Sequence, residues 1–216
     1  MSDLAEPLAA LVGNTTHASS APTSKPLAIL IVSVRLNQLS LLEQVVLALV
    51  VETPSHGFGV ASAIEADAAL AMAITVRRPL VYRAIDTLAR AGMLRRAKVE
   101  SGQRGAPRTV YRATAAGSRA SAAWLRAIVD HPRDARLELL AKFALRARRG
   151  MSNRSLASAQ RRHFEPVASS LRQRRRDETP AAALVRRWRY ESVAAMIGLL
   201  RDVENDRRRA TAAAAE

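Results

Sequence analysis

The chain has 216 residues, 49% of them hydrophobic, and a formal net charge of +15. It can bury a core as one domain with an extension or as two small ones, and its apolar content excludes a wholly disordered chain. The charge favours a polyanionic partner, nucleic acid before an acidic membrane surface, and the absence of Cys excludes disulfides, thiolate metal sites and Cys nucleophiles. A Cys-free chain fits a reducing cytoplasm, which is the expected location. Of the 34 basic residues 31 are Arg, part of which reflects codon bias in a GC-rich genome. Residues 1–38 are charge-balanced, residues 39–120 carry +5 and residues 121–216 carry +10, so charge alone does not single out one nucleic-acid surface.

Residues 1–38 form an N-terminal extension. Its first 24 residues are rich in Ala, Ser, Thr and Pro and are expected to be disordered. Lys25 to Val34 (KPLAILIVSV) is apolar but too short to span a membrane. The acidic N-terminus and the lack of a small-residue cleavage site argue against a signal peptide. The run either packs on the domain or a partner, or is upstream sequence from an early start codon.

Ser40-Leu41-Leu42-Glu43 has the pattern of a capping box, and the helix behind it, to about Glu52, is apolar nearly all round and therefore buried. Thr53-Pro54 ends it. Ser55-His56-Gly57-Phe58-Gly59 is a turn into a second helix, about Phe58 to Ala69, and Leu70 to Val76 is ambiguous. From Arg77 a third helix begins, with Pro79 in its first turn and Gly92 as its stop. Val81, Ala84, Ile85 and Leu88 make one apolar stripe, while Arg83, Asp86 and Arg90 face outward with Tyr82 at the margin. Asp86 and Arg90 stand at i, i+4 and can pair. Two short extended runs follow around the basic turn SGQRGAP. Helix, helix, outward-cationic helix and two-stranded wing is the order of a winged helix-turn-helix, expected over residues 39–120. Arg77, Arg78, Tyr82, Arg83 and Arg90 on the helix, with Gln103, Arg104 and Arg108 on the wing, are the candidate DNA-binding residues.

Beyond Gly117 the chain reads as helical to residue 206, with a frayed tail at 207–216. Helices are expected over Ser118–Val129, Arg133–Arg149, Ser152–Arg176 and from Pro180 onward, with Pro166 kinking or breaking the third. Leu137, Leu140, Ala141 and Ala144 are expected to form the apolar stripe of the second. Leu184, Trp188, Ala195, Leu199 and Val203 form a seam on the last, the expected homodimer interface. The Arg-rich stretches Arg172–Arg176 and Arg186–Arg189 are solvated faces or hold DNA backbone or an acidic ligand. The four His residues are scattered, and no nucleophile triad, carboxylate pair or phosphate-cradling Gly loop is present, so no enzyme activity, metal or cofactor is expected.

Several short stretches together resemble the PadR family of transcriptional regulators. Leu39-Ser40-Leu41-Leu42-Glu43 with Val46-Leu47 is similar to the family's first helix, and Pro54-Ser55-His56-Gly57-Phe58 to its P-x-H-G-aromatic turn. Val81-Tyr82 through Leu88 to Gly92-Met93-Leu94 resembles its recognition helix. Gly105-Ala106-Pro107-Arg108, Tyr111-Arg112 and Thr114-x-x-Gly117 resemble its wing and exit turn. Arg78-Pro79-Leu80 departs from the small residues that usually open the recognition helix. The resemblance implies a mainly α fold: a winged helix-turn-helix domain followed by an α-helical dimerisation domain. It also implies a dimeric, sequence-specific regulator of double-stranded DNA, a repressor that reads a promoter palindrome and is released by a small-molecule effector. The alternative is a non-specific nucleoid or RNA-binding protein using the Arg-rich C-terminal helices.

Overall fold

The structure, a computed structural model, describes residues 39–213 apart from 103, 104, 174 and 175. Expectations for residues 1–38, Gln103, Arg104, Arg174, Arg175 and residues 214–216 lie outside the described residues. The element order is α1 (Leu41–Glu52), α2 (Gly57–Ala66), α3 (Ala68–Ala73), α4 (Arg78–Arg90), β1 (Leu94–Gly102), β2 (Gly105–Ala113), α5 (Ala115–Arg126), α6 (Pro132–Arg148), α7 (Arg154–Arg172) and α8 (Pro180–Ala213). The protein is mainly helical, a winged helix-turn-helix followed by C-terminal helices.

The capping box forms as its sequence requires. Ser40 Oγ accepts the Glu43 N–H, and the Ser40 N–H donates to Glu43 Oε2 at 2.7 Å. Gln44 through Val50 are all buried, because α1 is the central strut of the first core and is covered by α4, α5 and β2.

The second helix is shorter than the sequence suggests. It stops at Ala66, and the ambiguous stretch is a separate helix, α3. Asp67 is the reason. It ends α2 in extended backbone and its Oδ1 caps α3 by accepting the Leu70 N–H at 3.0 Å. Leu70 and Ala73 then drop into the interior.

The wing strands are longer than two short runs. They pair antiparallel from Leu94↔Ala113 to Gly102↔Gly105, so Ser101-Gly102 and Gly105-Ala106-Pro107, expected in the turn, belong to the ladder. Register shifts at Arg96/Lys98 and Glu100/Gly102 are bulges that add twist. Ser55 adds a bridge on the open edge of β2: its N–H donates to the Tyr111 carbonyl at 3.0 Å and its carbonyl accepts the Tyr111 N–H at 2.9 Å.

Thr114 and Gly117 close the wing onto α5. Thr114 Oγ1 donates to the Gly92 carbonyl at 2.8 Å and accepts the Gly117 N–H at 3.1 Å. A side chain at Gly117 would collide with the Met93 carbonyl, so the exit turn requires glycine. Gly92 itself has φ 72°, the left-handed conformation that ends α4.

The stripe of α6 differs from the expected one. Leu137 and Leu140 are exposed; Ala135, Leu139, Ala141, Ala144 and Leu145 are buried. The shift arises because α6 serves two cores. Ala135 and Leu139 enter a second core with Val129, Leu156, Phe164, Val193, Ile197 and Leu200, while Ala141, Ala144 and Leu145 enter the first. A helix that packs on two sides buries more than one stripe. Lys142 is fully buried between them, bonded to Glu138 at 2.7 Å and to the Ala127 carbonyl at 2.9 Å, with its Nζ 5.2 Å from the Trp124 ring centroid. Burial pushes its pKa below the ordinary lysine value, against the pull of Glu138.

Helix α7 runs through Pro166 without breaking. Its Gln160 pins the α5–α6 linker, exchanging two hydrogen bonds with the backbone of Val129 at 2.7 and 2.8 Å. Helix α8 pairs along α7 and continues to Ala213, across the boundary drawn at residue 206.

Candidate nucleic-acid interface

Helix α4 is held by its apolar stripe. Val81, Ala84, Ile85 and Leu88 are buried, as their spacing requires, against α1 and α2. That fixes the opposite face in water: Leu80, Tyr82, Arg83, Asp86 and Arg90 are exposed. The helix begins at Arg78 with Pro79 in its first turn and no side-chain cap at Arg77. Its first backbone N–H groups therefore have no capping side chain, which suits an anion at that end.

Tyr82 is 50% exposed, and its ring lies against Gly57, the first residue of α2. A Cβ on Gly57 would sit 2.6 Å from Tyr82 Cδ1, so the bare glycine is what lets the ring lie flat there. His56, the N-cap of α2, accepts the Gly59 N–H on Nδ1 at 2.9 Å. It is thereby a capping residue, and its Nε2 carries the remaining proton when the ring is neutral.

Next to this pair stands a contact the sequence reasoning missed. The Phe58 ring, 40% exposed, carries the Arg78 guanidinium at 5.0 Å and the Arg108 guanidinium at 5.2 Å from its centroid. Phe58 was visible as the aromatic of the H-G-aromatic turn, but nothing in the spacing said that residues 50 positions apart meet on it. Arg78 is also held by Glu65 of α2, Nε at 3.3 Å and Nη2 at 3.1 Å. The Arg78 hydrogen bond holds the Glu65 carboxyl below the usual carboxylate range. Arg78 is thus bound within the protein rather than extended to solvent alone.

On the wing, Arg108 stands across the ladder from Glu100, and Glu100 pairs with Lys98 at 2.8 Å. The Lys98 hydrogen bond lowers the Glu100 pKa, with His56 and Arg108 adding to it.

Asp86 and Arg90 do not pair. Arg90 Nη2 instead reaches Thr87 Oγ1 at 3.4 Å, a weak contact one turn back. Both side chains point into water, where an exposed pair gains little over hydration. The Arg77 and Arg83 side chains have no hydrogen-bond or ion-pair partner among the described residues, and both residues are exposed. The structure thus brings Arg78, Tyr82 and Arg108 together around the α2 N-terminus and leaves Arg77, Arg83 and Arg90 reaching outward.

The head is fastened to the C-terminal helices by ions. Arg148 bridges Glu52 at 3.0 Å and Asp67 at 2.9 Å, and Arg149 reaches Glu52 at 3.2 Å and the Ala48 carbonyl. Of the seam residues on α8, Leu184 (69% exposed), Trp188 (73%) and Leu199 (44%) lie open to solvent, as does Ala195. Val185 beside them is exposed too. Val203 instead packs on the second core. Among the described residues no helix is long and apolar enough to cross a membrane, and no cluster of His, Asp and Glu could hold a metal ion.

Residues 46–123 match the model of the Transcriptional regulator PadR-like family. No curated protein matches the chain. Among solved structures, a crystal structure of Bacillus subtilis PadR in complex with operator DNA is similar at 16% identity, covering 76% of this chain and 97% of that one, with a TM-score of 0.36. The family match spans the buried strut α1 from Val46, the Gly57 turn, the α4 helix, the wing and the Thr114–Gly117 exit. Residues 46–123, less than half of the chain, are thus similar to the PadR-like family of transcriptional regulators.

Proposed function

We propose that the protein is a dimeric, sequence-specific DNA-binding repressor acting in the cytoplasm. The observation that carries this reading is Arg83: exposed, without a partner among the described residues, and on the outward face of a helix whose other face is locked into the core. An Arg so placed can enter a major groove and pair bidentately with guanine. Arg77, Arg90 and Arg108, also exposed, would take backbone phosphates, with Tyr82 on the same helix. Gln103 and Arg104, between β1 and β2 in the sequence, remain candidates for the flanking backbone. Arg78, tied to Glu65 and Phe58, is better suited to positioning the α2 N-terminus than to reading bases.

Dimerisation through α8 is supported by the exposed row Leu184, Val185, Trp188 and Leu199. Contiguous apolar surface of this kind marks an interaction site on a soluble chain. A dyad there would present two α4 helices to half-sites of a palindrome about one helical turn apart. Repression would follow from promoter occlusion, and a small-molecule effector would release it by favouring a dimer whose heads have the wrong spacing.

The test is selection of bound sequences from a random double-stranded DNA pool with the purified full chain. A palindromic consensus supports the reading. Enrichment of no motif, with binding to any duplex or RNA at low salt, supports a non-specific nucleoid or RNA-binding protein instead.

A further inference from the structure

A cleft of about 640 Å³ opens between α6, the end of α7 and α8. Its floor is aliphatic: Leu139 and Val193 are buried there, with Val167, Leu171 and Met196 half-buried around them. Leu140, Trp188 and Leu199 on its lining are exposed, so apolar surface faces water here. The charges on the lining are all of one sign. Arg133, Arg136 and Arg189 line the cleft, and no carboxylate among the described residues does. Arg133 pairs with Asp134, outside the lining, at 3.7 Å. The Arg136 and Arg189 side chains have no hydrogen-bond or ion-pair partner among the described residues.

The cleft is also polarised along its helices. His163 of α7 meets the Asp130 carbonyl at 3.0 Å, and Asn153 at the start of α7 donates to the Phe143 carbonyl at 3.1 Å, so α6 runs antiparallel to α7. Arg186 donates to the Leu171 carbonyl at 2.9 Å and Arg161 meets Glu204 at 2.9 Å, so α8 does the same. Helices α6 and α8 therefore run the same way. On both, the cations come first: Arg133 and Arg136 before Leu139 and Leu140, Arg189 before Met196 and Leu199.

We propose that this cleft binds a free alkyl carboxylate, its head on Arg136 and Arg189 and its hydrocarbon chain on Leu139, Val193 and Met196. Guanidiniums without internal partners beside an apolar floor leave both charge and hydrophobic surface unmatched, and one amphipathic anion answers both. The volume falls within the roughly 300–1,000 Å³ of small-molecule sites. A floor of Leu, Val and Met suits a flexible hydrocarbon, Met being the most adaptable of the three. A second copy seated on the cleft about a dyad would set the same guanidiniums against one another, with no carboxylate on the lining to offset them. Trp188 and Leu199 belong both to the cleft and to the exposed α8 row. An occupant touches that row, and any effect on the spacing of the heads rests on the dimer reading given above; binding itself does not.

Calorimetric titration of the full chain with octanoate, decanoate and dodecanoate, each below its micelle concentration and without DNA, tests this. One ligand should bind per chain, about fourfold more tightly for each added CH₂. Arg136→Ala and Arg189→Ala in one chain should weaken dodecanoate binding about tenfold or more. Arg162→Ala, exposed on α7 and outside the lining, should not. All three arginines are exposed, so the variants should melt as the parent does. Absence of binding at every chain length would overturn the proposal, as would an affinity that ignores chain length. Equal losses in the double variant and in Arg162→Ala would do the same. So would dodecyltrimethylammonium binding as tightly as dodecanoate, because the guanidiniums would then select no anion. Capture of the chain by anionic phosphatidylglycerol vesicles with no dodecanoate bound would overturn it in favour of a membrane surface. Failure of this titration leaves the DNA-reading proposal standing, since that one is decided by sequence selection with no carboxylate present.

Discussion

The Tyr82 ring rests on Gly57, and this contact sets how the α4 helix meets the N-terminus of α2. A Cβ at residue 57 would overlap three atoms of the ring. The ring is half exposed and can swing outward, so Gly57→Ala should leave thermal stability nearly unchanged, with less than about 1 kcal/mol lost. DNA affinity should nonetheless fall, because Tyr82 leaves its seat beside Arg83. Melting and DNA titration of the same variant check this; a large loss of stability with intact affinity would show that the ring is structural only.

Gly117 gives the opposite expectation. The group in the way there is the Met93 backbone carbonyl, which is fixed by the Thr114 N–H at 2.9 Å. Nothing can swing aside, so Gly117→Ala should destabilise the chain by about 1–3 kcal/mol. Urea unfolding measures it, and an unchanged midpoint would contradict the crowding.

The ion cluster of Arg148 with Glu52 and Asp67 should make the junction between the cores acid-sensitive. Burial raises the Asp67 pKa, but the Leu70 N–H and Arg148 outweigh it and the net shift is downward. A carboxyl whose folded pKa is depressed contributes stability that is present above its unfolded value and lost as pH falls through the folded one. That contribution is therefore full at pH 7 and fades below about pH 4. Arg148→Ala should lower stability at pH 7 by roughly 1 kcal/mol, discounted for its one-third exposure, and flatten the dependence between pH 5 and 2. Equal losses at pH 7 and pH 2.5 would mean that Arg148 acts by packing and not by charge.

Most of the head is legible in the sequence because its signals are local. The capping box, the α4 stripe, Gly92 and the Thr114–Gly117 turn each declare themselves within a few residues. The division of α2 from α3 at Asp67 is not legible, since Asp67 lacks any turn partner and only its cap geometry reveals it. Leu137 and Leu140 mislead because α6 serves two cores at once. The Phe58 contact with Arg78 and Arg108 depends on three elements meeting in space, which no spacing rule encodes. Charge also misleads: Arg78 looks as available as Arg83 in sequence, yet Glu65 holds it.

The α8 seam yields a test of assembly. Trp188→Asp, at a site 73% exposed in the single chain, should not unfold it. It should convert a dimer at micromolar concentration into a monomer, as removal of an aromatic anchor does at other interfaces. Light scattering decides. A monomeric parent chain would contradict dimerisation through this face, and a dimeric Trp188→Asp variant would move the interface elsewhere.

The central claim is that Arg83 reads bases whereas Arg108 holds backbone. Both variants, Arg83→Ala and Arg108→Ala, are titrated on the selected site and on scrambled DNA at three salt concentrations. Arg83→Ala should lose about 1–3 kcal/mol on the selected site, little on scrambled DNA, and relax choice at one base position. Arg108→Ala should weaken both DNAs about equally and make the salt dependence shallower by about one phosphate contact. Equal losses on both DNAs for Arg83→Ala would contradict the account, leaving α4 as a phosphate-binding helix with specificity residing elsewhere.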